Sequence, residues 1–204
     1  MKFRDLEPMQ TPSHFLLTAF YANKKSDDNT LPLHTWALLI GSVLPDLPFT
    51  LLTIAGEIWF RWFAPLPVAN VSVMEYLHFD LFFNDPLWIV GHNIFHSLLI
   101  DGLLALIGYW FWHRSSARWA LALFWLGASM TAHTIIDIFT HSSDGPLFLF
   151  PLNWSYRFPS PVSYWEASNF GIYFVAFEWL LDAAIIAYFA VMWRRTGAFR
   201  KRTK

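Results

Sequence analysis

Three stretches of this chain are long and apolar enough to cross a membrane. The stretches extend from about Trp88 to Trp112, from Trp119 to Phe139 and from Phe170 to Trp193. Each is long enough to cross about 30 Å of hydrocarbon as a helix rising about 1.5 Å per residue. Tryptophans sit near most of their ends, where such rings anchor a helix at the membrane interface. Two shorter runs, 15–22 and 33–44, predict a helical hairpin that dips into the membrane. Pro45 closes the second, so "LPDLP" reads as a break and not as helix interior. Segment 48–63 is apolar but carries Glu57 and Arg61, which predicts an interfacial helix or one packed on the bundle. Two stretches, roughly 64–87 and 140–168, are read as long loops. The pattern predicts an all-α polytopic membrane bundle, three full spans plus a short N-terminal helical hairpin, forming one domain over 1–204.

Composition sharpens this picture. Of 204 residues, 55% are hydrophobic, 20% aromatic and only 14% charged, against about 25% charged in an ordinary soluble domain. The partner implied is a lipid bilayer. A net charge of −1 argues against nucleic acid. Without cysteine, a metal would need His, Asp or Glu ligands, which suit Zn, Mn or Fe. The first 35 residues lack the basic, apolar, small-residue order of a cleaved signal.

Basic residues set the expected orientation. Six lie in the tail "RRTGAFRKRTK", others in "HRSSAR" (113–118) and at Lys24 and Lys25. One threading puts all three on the cytoplasmic side. His14, Asp46 and both long loops then share the opposite face of an inner (plasma) membrane.

Ionisable residues inside spans are costly and point to function. His92 and His96 are four apart in "GHNIFHSLLI", and His133 and Asp137 are four apart in "HTIID". Residues so spaced share one face of a helix. Counted from the cytoplasmic ends at about 1.5 Å per residue, His96, His133 and Glu178 all lie about 21–24 Å deep. Two ligand-bearing faces therefore arrive at one level, with Asp46, His141 and Asp144 on the same side. Zinc takes three or four such donors, with water completing a catalytic site. Plainer readings stand beside this one. Asp46 would also serve as an N-cap, "HSSDG" (141–145) is a natural turn, and Glu178 and Asp182 would also bond between helices.

The blocks "TPSHFLL", "GSVLPDLPF", "HNIFHSLL" and "AHTIIDIFTHSSDGPLFLFP" resemble, in order, the signatures of the YdjM-like family of inner-membrane proteins, described as metal-dependent hydrolases. The resemblance covers most of 11–151 and implies His14, Asp46, His92, His96, His133 and Asp137 as metal ligands. Asn93 stands where the family usually has Arg, and Pro48 where a second Asp is common. The order His, Asp, His, then HxxxD also resembles the zinc-dependent phospholipase C and P1-type nuclease group. No histidine follows His141, so the later His-x-x-x-Glu pair of that group is missing and one or two metals are expected, not three.

The sequence is thus read as a membrane-bound metal-dependent hydrolase of an ester or phosphoester in a lipid-like substrate. The expected cofactor is a divalent metal, Zn before others. His14, Asp46, His92, His96, His133, Asp137 and His141 are its candidate ligands. Glu178 or Asp144 is the candidate general base, and Arg157 the candidate phosphate contact. An ion- or proton-coupled transporter and a non-catalytic protein braced by a structural metal are the alternatives. Reporter fusions after residue 204 and within 140–168 are expected to give opposite signals, and the same signal from both would overturn the threading.

Overall fold

The computed structural model describes residues 11–25, 31–164 and 167–202. Among them every regular element is helical. Helices α1 (Thr11–Lys24), α2 (Thr35–Gly41) and α3 (Leu47–Trp62) come first. A short α4 (Val73–Tyr76) then runs through a π turn into α5 (Phe82–Asn84). Next come α6 (Pro86–Asn93), α7 (Leu98–Ser115), α8 (Arg118–Thr140) and α9 (Gly171–Arg202). The side chains beyond Arg195, which carry four of the tail's six basic residues, lie outside the described residues.

Helix α8 is the axis of the bundle. Half of its apolar window lies inside the protein, against 11% for α9, so α8 is core and α9 a peripheral, lipid-facing helix. Helix α7 returns along α8 after a two-residue turn, its end set by Ser116 in the left-handed conformation. The two backbones nearly touch. A Cβ on Gly127 would stand 2.5 Å from Ala105 N, and one on Gly108 would strike the backbone of Phe124. Small residues at such crossings are how membrane helices gain dispersion contact where lipid offers no hydrophobic drive. Helix α2 uses the same device, with Gly41 against the carbonyl of Leu126. Around it Ala37, Leu38, Leu121 and Trp125 form a small buried core.

The first of the three expected spans is not continuous. Two helices, α8 and α9, are each long and apolar enough to cross a membrane, and α6 with α7 makes a third candidate bent by 41° at 94–97. The reason is local. Ser97 is extended and caps α7, its Oγ accepting from Ile100 N at 3.3 Å. Backbone freed at such a break must find partners where water is absent. The chain at 147–150 provides them: Leu98 N donates to Phe148 O at 3.0 Å and Ser97 Oγ to Phe150 O. Asn93, wholly buried, accepts from Leu147 N at 2.6 Å and donates to Ile89 O at 2.8 Å.

The stretch 64–87 is also less of a loop than expected. Ser72 and Glu75 form the start of a helix, Ser72 Oγ accepting from Glu75 N at 3.1 Å. The S-x-x-E spacing is a capping-box signature. Asp85 likewise caps α6 through Leu87 N and Trp88 N, with Pro86 at the first position. Helix α3 has no buried residue.

Gly127→Leu forces a large side chain into the α7–α8 crossing, and overpacking of this kind costs about 1–3 kcal/mol. A Cβ at Gly102 meets nothing within 4 Å, so Gly102→Leu should leave stability unchanged. Thermal unfolding of both variants in detergent, followed by circular dichroism, checks the difference.

Candidate metal centre

Four side chains from three places in the chain meet at one point. Asp46, His96, His133 and Asp137 each offer a ligand atom, and these atoms all lie within 4.8 Å of one another. The Nε2 atoms of His96 and His133 are 3.1 Å apart. Asp137 Oδ2 sits 3.1 Å from the first and 3.0 Å from the second. Asp46 Oδ1 closes the group at 3.3 and 3.4 Å.

The tautomers follow from the opposite edges of the rings. His96 Nδ1 lies 2.6 Å from the carbonyl of His92, and His133 Nδ1 lies 2.8 Å from the carbonyl of Ser42. A carbonyl only accepts, so each Nδ1 carries a proton, and in the neutral rings each Nε2 presents a lone pair. Two lone pairs and two carboxylate oxygens thus face one another at about 3 Å, an arrangement that repels itself until a cation or protons enter. Metal-bound histidines are held by such Nδ1–H bonds to carbonyl oxygens. The donor set of two imidazoles and two carboxylates is one that zinc, manganese and iron accept. The residues present fit a divalent ion.

Each ligand is aimed by its local structure. Asp137 lies one turn after His133 on α8, so both point the same way. His96 lies in the break between α6 and α7, and the turn of the chain there swings its Nε2 towards α8. Asp46 occupies the N-cap position of α3, but its φ and ψ are helical and its carboxylate makes no capping bond. Pro45 and Pro48 hold the break, and Thr11 Oγ1 donates to Asp46 Oδ2 at 2.6 Å. Its carboxylate is therefore aimed at the histidines and not at its own helix. Gly41 matters here as well, because the close approach of α2 to α8 brings the Ser42 carbonyl to His133.

The other candidates surround this group. His14 packs its ring on His133, centroids 3.7 Å apart, and its Nε2 reaches Asp137 Oδ1 at 3.1 Å. Asp137 thus uses one oxygen inward and one outward. His92 is not among the four. Its ring stacks on His96 at 4.7 Å and is boxed by Phe49 and Phe82. The two rings thus stay neighbours across the 94–97 break, but only His96 offers a nitrogen to the four-residue group. His141 lies one turn beyond Asp137, and its Nδ1 pairs with Asp144 Oδ2 at 3.1 Å. Burial pulls the His141 pKa down, but the Asp144 carboxylate outweighs it and leaves the ring above its ordinary value. Glu178 and Asp182 lie outside the group, Asp182 Oδ2 accepting from Ser13 Oγ at 2.6 Å.

The chain belongs to the YdjM inner membrane protein family, which matches residues 9–199. No curated protein and no solved structure matches it. In this YdjM protein Arg157 latches the turn after α8. Its Nη1 donates to the carbonyl of Gly145 and, at 3.5 Å, to that of Asp144. Its guanidinium lies over the rings of Phe82 and Phe83 at 5.1 and 5.3 Å. Burial lowers its pKa to about 10, against the pull of Asp144, so it stays charged at neutral pH.

Thr11, the Ser42 carbonyl, Asn93 and Ser97 position the centre without a signal of their own in the pattern of charged residues. All four nevertheless lie inside the quoted blocks, Thr11 in "TPSHFLL", Ser42 in "GSVLPDLPF", and Asn93 and Ser97 in "HNIFHSLL". Asp46→Asn keeps shape and hydrogen bonding but removes charge. Metal content by elemental analysis is expected to fall by about tenfold or more, the scale of perturbed metal sites, with helix content unchanged by circular dichroism. Full metal content in that variant would remove Asp46 from the ligand set.

Proposed function

We propose that this YdjM protein is a membrane-embedded, metal-dependent hydrolase of an ester or phosphoester bond in a lipid-like substrate. The observation that carries the reading is the four-residue group itself, buried at three members and less enclosed at the fourth. The side chains of His96 and His133 are 1% exposed and that of Asp137 9%, but that of Asp46 is 25% exposed. A site that only braced a bundle would be closed all round; the lesser enclosure of Asp46 favours a site with one approach.

A divalent ion held by these four residues would supply Lewis-acid polarisation of the scissile group and acidify water. His14 fixes the outer oxygen of Asp137, and the Ser42 and His92 carbonyls fix the two ligand rings. Proton transfer falls to the His141–Asp144 pair. Asp144 bonds Nδ1 of His141, which leaves Nε2 as the proton-accepting atom, one helical turn beyond Asp137. Asp144, the earlier candidate base, thus orients His141. Arg157 holds the turn that carries both and is the candidate contact for a phosphate oxygen. Zinc remains the preferred ion because the two imidazoles favour it, and the site is read as facing the non-cytoplasmic side.

Purified protein is expected to hold metal in stoichiometric amount and to hydrolyse a chromogenic lipid-like phosphodiester, and both properties should be lost in His133→Ala and after chelation. His141→Ala should keep the metal and lose about 10²–10⁴ in kcat, the usual contribution of general acid–base catalysis. Asp144→Asn removes the charge that raises His141, so the acid limb of the pH profile should move to lower pH. Metal without hydrolysis of any ester or phosphoester would leave the structural-metal alternative standing.

A further inference from the structure

The turn between α7 and α8 gathers charge of one sign. Arg114 lies at the end of α7 and Arg118 opens α8, with Ser116 and Ala117 between the two helices. Phe111 and Trp119 pack across the turn, ring centroids 5.1 Å apart, so both arginines emerge at one end of the bundle. Both are exposed, as is His113. No acid follows Asp101 on α7 and none precedes Asp137 on α8. Among the described residues Arg61 pairs with Glu57, but neither Arg114 nor Arg118 meets a carboxylate. Arg118 is also placed against the sense of its helix, because a helix N-terminus is itself positive. The first turn of α8 holds no acid, and its N-cap, Ala117, makes no side-chain bond to the first amides. Like charges gathered in this way are unfavourable until an anion joins them.

Beside this turn the outer face of α7 forms a shallow groove of about 940 Å³. Leu106, Ile107 and Trp110 line its apolar length, and His113 and Arg114 line its end. Leu106 is 67% exposed and Trp110 47%, so no other described helix covers this face. The Arg114 guanidinium lies over the Trp110 ring, 4.2 Å from its centroid. That contact seats the charge where the apolar wall meets the turn and leaves the N–H edge of the fork free. Aliphatic wall, aromatic ring and cation follow one another along the helix. A phospholipid presents its acyl chain, interface and phosphate in that same order. A bare anion would leave the apolar length of the groove unfilled.

We infer that this surface binds an anionic phospholipid, its phosphate held between Arg114 and Arg118 and an acyl chain along Leu106 and Trp110. Arginine forks bond phosphate oxygens in pairs. Arg114 lies sixteen residues beyond Leu98, about 24 Å along α7, so the site stands at the end of the helix away from the metal centre. The lipid is therefore an anchor for the α7–α8 hairpin and not the substrate. The inference does not rest on the hydrolase reading, and binding needs no metal.

The test uses the full chain in nanodiscs made of equal parts phosphatidylglycerol and phosphatidylcholine with matched acyl chains. Both lipids carry a phosphodiester, but only the first is a net anion. Lipid retained on the released protein is counted by native mass spectrometry. The glycerol lipid is expected to exceed the choline lipid by about tenfold, the scale that two basic side chains at a membrane surface provide. The excess should vanish when Arg114→Gln and Arg118→Gln are combined and persist in Arg61→Gln. Equal retention by the wild-type protein, or a preference for the choline lipid, overturns the proposal without any variant. An excess that survives the combined substitutions, or that Arg61→Gln abolishes as well, overturns it too. Added inorganic phosphate should leave retention unchanged. Displacement of the lipid by phosphate would mark a site for a bare anion and defeat the lipid reading.

Discussion

Two imidazole nitrogens 3.1 Å apart are the constraint on which the rest of this structure turns. Neither ring can turn away, because each is tied at its far edge to a backbone carbonyl. Two carboxylates add negative charge at the same point. Inside a bilayer such a group costs several kcal/mol unless a cation or protons neutralise it. The fold therefore keeps an arrangement that is unfavourable by itself and that a bound ion or protons would relieve. An ion bound by this group would couple metal affinity to folding.

Much of the surrounding architecture serves to hold that point. The break at 94–97 lets His96 leave the helical direction, and the loop at 147–150 repays the lost backbone bonds. The proline pair around Asp46 does the same for the carboxylate. Glycines at the α2–α8 and α7–α8 crossings bring three backbones close enough for short side chains to meet. Each device forfeits some regular helix, and regular helix is what a membrane normally demands. Concentrating these departures around one cluster is consistent with local strain being retained for function.

Helix α9 differs in kind. It is held to the bundle chiefly along α1, by Ser13 with Asp182 and by Asn23 with Tyr188 at 2.8 Å. Lys24 lies over the Tyr188 ring at 4.6 Å. Helix α1 in turn carries His14 against Asp137. One short helix thus links the lipid-facing surface to the metal centre.

The family, the helical class and the presence of membrane-length segments were legible in the sequence, because each depends on local composition and on short motifs. So was the meeting of His133 and Asp137, whose spacing alone puts them on one face. Asp46 and His96 could be nominated, but their spacing could not decide which way they point. The same four-residue spacing of His92 and His96 predicts a shared face, and their rings do stack, but only His96 joins the four-residue group. That bend depends on hydrogen bonds to residues some fifty positions away, and no pattern along 88–112 contains them. The helices within 64–87 carried a capping signal that apolar length obscured. Sequence fixes which donors exist and which lie on a common helix face. Their hydrogen-bond partners and their unequal burial arise only where distant backbones pack, since those contacts have no local period to read.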